Sequence, residues 1–147
     1  MAIRTARTAW NGTLQDGSGQ VELTSSGLGT FDVSWPRRTA EDAEGVTSPE
    51  ELIAAAHSAC FPMALSKIVA DAGGTPIAFD VTADVTFGPD PAGGNRISAI
   101  KLTVRGEVEG LDEAAFKECA EKAKAGCPVS KALAGVEEMT VEATLEA

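Results

Sequence analysis

The run Ser48-Pro49-Glu50-Glu51-Leu52-Ile53-Ala54-Ala55-Ala56-His57-Ser58-Ala59-Cys60-Phe61-Pro62-Met63-Ala64-Leu65 decides the fold. Ser48 suits a helix N-cap and Pro49 the first helical position, where a missing N–H costs nothing. Glu51, three past the cap, is its reciprocal capping partner. The spacing predicts a helix from Pro49 to about Asp71, stopped by Gly73-Gly74. From Leu52 to Leu65 this helix carries no charge. A helix that is apolar all round is buried on every side, and this run spans only about 21 Å, too short for a bilayer. It is expected to be a central helix. Ala54, Ala55, Ala56, Ser58 and Ala59 would let another backbone approach closely, and one chain of this size has few elements to surround it. Burial against a second copy is the expected solution.

N-terminal to this helix the chain alternates in the manner of short strands: Ala6, Thr8 and Trp10, then Val21 and Leu23, then Phe31, Val33 and Trp35, separated by Asn11-Gly12 and glycine-rich turns. A small antiparallel meander fits this pattern. Pro36 to Thr47 is polar and irregular and reads as a charged loop. C-terminal to the helix, Ile77, Phe79, Val81, Ala83, Val85 and Phe87 alternate, and Ile100, Leu102 and Val104 follow a Gly93-Gly94 turn. These predict two strands with one wet face. A second helix is expected from the cap Asp112 to Gly126, with Phe116, Cys119, Ala120 and Ala123 on one face. Cys127-Pro128 opens a short helical turn to about Leu133, and Met139, Val141, Ala143 and Leu145 mark a last strand. The order β-β-β-α-β-β-α-β with mostly neighbouring antiparallel strands argues for an α+β fold in a single domain, 1–147.

The chain has 147 residues, enough for one core without disulfides or metals to hold it. Twelve Lys and Arg against 22 Asp and Glu give a net charge of −10, and no basic run occurs, which argues against nucleic acid as a partner. No export signal or membrane span is recognised, so a cytoplasmic location without membrane association is expected. The three cysteines, at 60, 119 and 127, are too few and too scattered for a structural disulfide framework. In this setting they are packing residues, redox or catalytic thiols, or metal ligands.

Cys60 lies mid-helix, where the bland role is a small core hydrophobe. Pro62 shifts that balance, because a proline inside a helix removes one hydrogen bond and presses on the carbonyl of Ser58, opening or kinking the helix beside the thiol. His57, three residues before Cys60, could share its face as an imidazole partner, or as half of a metal site. No further histidine or CxxC supports either, and a buried, hydrogen-bonded packing role is expected instead. No cofactor or metal is expected. Cys127 stands at the start of a short helix, where unpaired N–H groups favour a thiolate, and so by electrostatics alone it is the better thiolate. Cys119 reads as core. Arg37 and Arg38 in the loop, and Glu50, which capping leaves unexplained, are the charged candidates. Glu50 and Cys60 are ten positions apart, about 15 Å along a straight helix. If both serve one site, an arginine bridges part of the gap or, as is favoured here, a second subunit supplies the Glu or the Arg.

The Ser48–Leu65 run, together with Lys122-Ala123-Lys124-Ala125-Gly126-Cys127-Pro128-Val129-Ser130, resembles the two cysteine motifs of the OsmC/Ohr family of hydroperoxide reductases. Trp10-Asn11-Gly12, the Phe31–Trp35 strand and the closing strand are also similar, so the resemblance covers nearly the whole chain and lies nearer the OsmC branch. It implies an intertwined homodimer in which antiparallel sheets wrap two central helices. It also implies Cys60 as the peroxidatic thiol, Cys127 as the resolving thiol, Glu50 as the motif carboxylate, and a loop arginine best matched by Arg38, with Arg37 beside it. Pro62 departs from the small polar residue often found at its place.

On that resemblance, a Cys60 thiolate steadied by the arginine attacks the peroxide oxygen and becomes a sulfenic acid, and Cys127 condenses with it. A dithiol such as dihydrolipoamide or a lipoylated protein would reduce the disulfide. The apolar surroundings, Phe61 and Met63 among them, favour organic hydroperoxides over hydrogen peroxide. The competing readings are a non-catalytic dimeric binding protein whose cysteines merely pack, and a Cys-His acyl-transfer enzyme with His57 as base.

Overall fold

The computed structural model describes residues 1–146. The chain divides into two compact units, Met1–Leu52 and Ile53–Ala147. Among the described residues, each contains one three-stranded sheet.

In the first unit, β1 (Arg7–Asn11), β2 (Ser18–Glu22) and β3 (Thr30–Val33) form the expected antiparallel meander, with Trp10 opposite Gly19 and Val21 opposite Phe31. Gly19 has no alternative at its place: a Cβ there would stand 2.9 Å from the Trp10 ring and 2.8 Å from the Ala9 carbonyl oxygen. The third strand is shorter than its alternation suggests. Trp35 leaves the sheet and opens a five-residue helix, α1 (Trp35–Thr39), so the segment read as irregular loop begins as helix. Ser34 caps it, accepting the Arg37 N–H at 3.3 Å, and Pro36 lies in the first turn, where its fixed φ suits a helix. That turn sets the arginines on a short rigid element.

The second helix, α2, runs Pro49–Asp71, the bounds its sequence predicts. The Glu51 N–H donates to Ser48 Oγ at 3.1 Å, which is half of the capping box. The other half differs from expectation, because the Glu51 carboxylate takes the Thr47 hydroxyl. Thr47 is itself anchored, its N–H donating to the Asp32 carbonyl at 3.2 Å. The helix continues through Pro62 without interruption.

In the second unit, β4 (Thr75–Pro89) and β5 (Asn95–Glu109) form a long antiparallel hairpin. A register shift between Pro76 and Ala78 turns Ile77 outward, and strict alternation holds only from Phe79 onward. Helices α3 (Glu113–Gly126) and α4 (Pro128–Ala132) follow, and β6 (Glu138–Glu146) returns beside β5 in parallel. The other named strand pairs are antiparallel, in keeping with the mostly antiparallel neighbours expected, and this one pair departs from them. Two helices intervene between β5 and β6, long enough to carry the chain back to the same end, which a tight turn cannot do.

The core of this unit takes Phe61, Leu65 and Val69 from α2, Leu102 and Val104 from β5, Phe116, Cys119, Ala120 and Ala123 from α3, and Ala143 from β6. Cys119 is a core residue, as expected, and burial pushes its thiol up. Gly106 on β5 is where the Phe116 ring lies, so closely that a Cβ would land on the ring. His57, Phe61, Leu65 and Val69 recur at intervals of four and form the covered stripe of α2. The opposite stripe is exposed: Ala55, Ala56, Ala59 and Met63 face outward, the last 72% accessible. The helix is thus half-covered within one chain, not buried on every side. It is long and apolar enough to cross a bilayer by length and composition, but its inner stripe is part of a packed core.

Candidate active site

In the first unit, Arg38 and Glu50 meet. Arg38 Nε donates to both Glu50 carboxylate oxygens at 3.1 Å, and Nη2 donates to Oε1 at 2.6 Å. Glu50 is nearly buried, at 7% exposure, and Arg38 is about a quarter exposed. Such a fork fixes the plane of the guanidinium as well as its position. The Arg38 guanidinium also lies over the Trp35 ring, 5.8 Å from its centroid. Arg37 turns elsewhere, to Glu44 at 2.8 Å and the Asp42 carbonyl at 3.2 Å. Of the two adjacent arginines, the one that faces the motif carboxylate is therefore Arg38. It also lines an apolar cavity of about 380 Å³ in the same unit, walled by Trp10, Leu14, Val33, Trp35 and Leu52 among others.

In the second unit, the Cys60 and Cys127 sulfurs are 2.9 Å apart, although 67 positions separate them in sequence. A disulfide would measure about 2.05 Å, so these are two free thiols in contact, already in position for a bond. Burial raises the Cys60 thiol, and sharing its proton with Cys127 raises it further. Burial also pulls Cys127 upward, but it is outweighed by the Cys60 thiol, the backbone N–H groups of Ser130 and Val129, and the Ser130 hydroxyl. Its net shift is down. Within this pair Cys60 is pushed up and Cys127 down, the order read from sequence for the isolated thiols.

His57 is fully buried, as expected, but it does not pair with Cys60. Its Nε2 lies 2.6 Å from the hydroxyl of Ser130, and its Nδ1 is buried without a hydrogen-bond partner. Burial holds the imidazole below its ordinary range, which favours the neutral form. The imidazole-thiolate pair that an acyl-transfer enzyme would need is not formed. Ser130, 4% exposed, is the residue that sequence reasoning passed over. Its signal was its place three residues after Cys127, one helical turn on. Phe61, read as part of the substrate's surroundings, is instead wholly in the core. Met63 is exposed.

Residues 41–142 match the family model described as OsmC-like protein. The chain belongs to the OsmC-like family. Within it, the chain is 43% identical over 124 residues to the protein named peroxiredoxin OsmC of Escherichia coli (strain K12), covering 84% of this chain and 85% of that one. It is 34% identical over 113 residues to organic hydroperoxide resistance protein OhrA of Bacillus subtilis (strain 168), covering 76% and 78%. A solved structure from Legionella pneumophila, described as an organic hydroperoxide resistance protein OsmC, superposes over 100% of both chains with a TM-score of 0.67 at 26% identity. The α+β architecture is therefore that of the OsmC/Ohr fold, and the higher identity lies on the OsmC side, as the resemblance implied. Both cysteines, Glu50 and His57 fall inside the matched span, and Arg38 lies just before it.

Proposed function

We propose that this chain is a thiol-dependent peroxidase that reduces organic hydroperoxides to alcohols, and hydrogen peroxide less readily. The observation that carries the reading is the Cys60–Cys127 contact at 2.9 Å, in a chain whose relatives are named for peroxiredoxin activity and organic hydroperoxide resistance. Cys60 attacks the distal peroxide oxygen as a thiolate. The O–O bond breaks, the alkoxide leaves and takes a proton, and Cys60 becomes a sulfenic acid. Cys127 then displaces hydroxide from that sulfur to form the disulfide.

Cys60 does not hold its charge unaided, since burial and Cys127 both raise it. The reading therefore assigns Arg38 the task of stabilising the Cys60 thiolate and the departing alkoxide, with Glu50 orienting the guanidinium, whether from the same chain or from a second copy. The apolar cavity that Arg38 lines supports an organic rather than an inorganic peroxide. The exposed Ala55-Ala56-Ala59-Met63 stripe of α2 supports a homodimer. A dithiol of the dihydrolipoamide type, free or on a lipoylated protein, is the proposed reductant.

The test counts free thiols before and after one equivalent of an organic hydroperoxide. Two of the three thiols per chain should disappear, and Cys127→Ser should trap a sulfenic acid on Cys60. A count that stays at three would falsify the reading and leave the non-catalytic binding protein as the alternative.

A further inference from the structure

We propose that His57 is a positioning residue for the second half of the reaction: through Ser130 it holds Cys127 ready to close the disulfide onto Cys60. The inference rests on the peroxidase reading above and names two residues that this reading does not use.

The geometry is a chain of buried polar groups. His57 and Cys127 are fully buried and Ser130 is 4% exposed. His57 Nε2 is 2.6 Å from Ser130 Oγ. Ser130 lies one helical turn beyond Cys127, its turn closed by the Lys131 N–H donating to the Cys127 carbonyl at 3.0 Å, and its hydroxyl is among the groups that hold the Cys127 thiol down. Cys127 in turn lies 2.9 Å from Cys60.

The partners fix the tautomer. His57 Nδ1 is buried with no hydrogen-bond partner. A bare lone pair there costs less than an N–H with no acceptor, so the proton belongs on Nε2. Nε2–H therefore donates to Ser130 Oγ, which leaves the Ser130 O–H free to donate to the Cys127 sulfur. Donors arranged in series polarise one another and favour the thiolate at the end of the chain. The groups that act on Cys127 are the Cys60 thiol, the backbone N–H groups of Ser130 and Val129, and the Ser130 hydroxyl. None of these is a formal cation, so the polarised hydroxyl matters.

In the closing step the Cys127 thiolate attacks the sulfur of the Cys60 sulfenic acid. An S–S bond forms as the S–O bond breaks, and the leaving hydroxide takes up the proton that Cys127 gave up on ionising, becoming water. The sulfenic sulfur is reduced and Cys127 oxidised, with the hydroperoxide as the oxidant that formed the sulfenic acid. The rate depends on the fraction of Cys127 present as thiolate.

The test titrates the Cys127 thiolate by its ultraviolet absorbance in the folded Cys60→Ser/Cys119→Ser chain, which needs no peroxide. Ser130→Ala should raise the midpoint by about one pH unit, and His57→Leu should do likewise. His57→Gln, which keeps an N–H donor, should return most of the shift. In the chain with all its cysteines, Ser130→Ala should slow disulfide closure at neutral pH about three- to fourfold, the roughly tenfold loss of thiolate being partly offset by the higher nucleophilicity of what remains. Should Ser130→Ala not fold, His57→Leu against His57→Gln makes the same comparison. A Ser130→Ala titration that overlays the parent, or equal shifts in the Leu and Gln variants, overturns the inference. A shifted titration in a parent that loses no thiols to peroxide supports the His57-Ser130-Cys127 chain while the peroxidase reading fails, so the two failures are distinguishable.

Discussion

Arg38 grips Glu50 in a fork, Nε at 3.1 Å from each carboxylate oxygen and Nη2 at 2.6 Å from one of them. Removing either partner has two separable effects. Arg38→Ala strands a nearly buried carboxylate. Because the pair is partly solvated, the loss should be about 1–3 kcal/mol, below the range of fully buried pairs, and urea unfolding would measure it. Glu50→Gln should cost less, since the amide still accepts hydrogen bonds. On the proposed function, single-turnover peroxide reduction by Arg38→Ala should fall about 10²–10³-fold, with Arg38→Lys intermediate because it keeps charge but loses the fork. Arg37→Ala, which loses a surface pair with Glu44 and a hydrogen bond to the Asp42 carbonyl, is the control. A defect of equal size in Arg37→Ala would remove Arg38 from its assigned role.

The Phe116 ring lies on Gly106, and Phe79 stacks on it from β4 with centroids 6.2 Å apart. Gly106→Ala would drive a methyl into the ring, and the ring cannot retreat through a packed core. The expected loss is about 1–3 kcal/mol in chemical denaturation. A Gly106→Ala/Phe116→Leu double variant should recover part of it, because the smaller side chain vacates the space the methyl needs. Purely additive losses would mean that the clash is relieved elsewhere and that Gly106 is kept for another reason.

The exposed stripe of α2 invites a direct measurement of assembly. Met63, 72% accessible, sits among Ala55, Ala56 and Ala59 on the face opposite the core stripe. Placing a carboxylate there with Met63→Glu touches no core residue, so a monomer should keep its stability. If the stripe packs on a second copy, the charge would be desolvated and the dimer should dissociate, halving the mass seen by light scattering. An unchanged mass would place any dimer contact on another face.

Much of this was legible in the sequence because local rules and tertiary structure agree there. The Ser48-Pro49 start, the Asp112 cap and the period-two alternation from Phe79 each depend on neighbours within a few residues. The reading failed where non-local choices prevail. Trp35 alternates with Phe31 and Val33 as a strand residue should, but Ser34 and Pro36 make a better helix start, and the cap prevailed. Ile77 fits its strand's pattern and is turned out by a register shift that no spacing rule marks. The parallel pairing of β6 with β5 depends on where two helices deliver the chain. The two cysteine motifs and the preference for Arg38 over Arg37 came from the resemblance, whereas the Arg38–Glu50 fork needed the α1 turn. Ser130 stayed silent because its partner, His57, lies 73 positions away.

His57 also ties stability to pH. Burial holds its folded pKa below the ordinary value of 6.5, and protonation would put a second N–H on Nδ1, which has no acceptor. Below 6.5 the unfolded chain therefore binds a proton that the folded chain refuses. The contribution of a neutral His57 is fully present above 6.5. It is lost as pH falls from that value toward the folded pKa, with a slope of at most about 1.4 kcal/mol per pH unit. Thermal unfolding from pH 8 down to pH 5 should show the parent losing stability through this window. His57→Gln, which has no titrating ring, should be flatter over the same range even if it starts from a lower midpoint. Parallel curves for the two proteins would show that carboxylates or other groups govern the acid limb and that the buried imidazole contributes nothing to it.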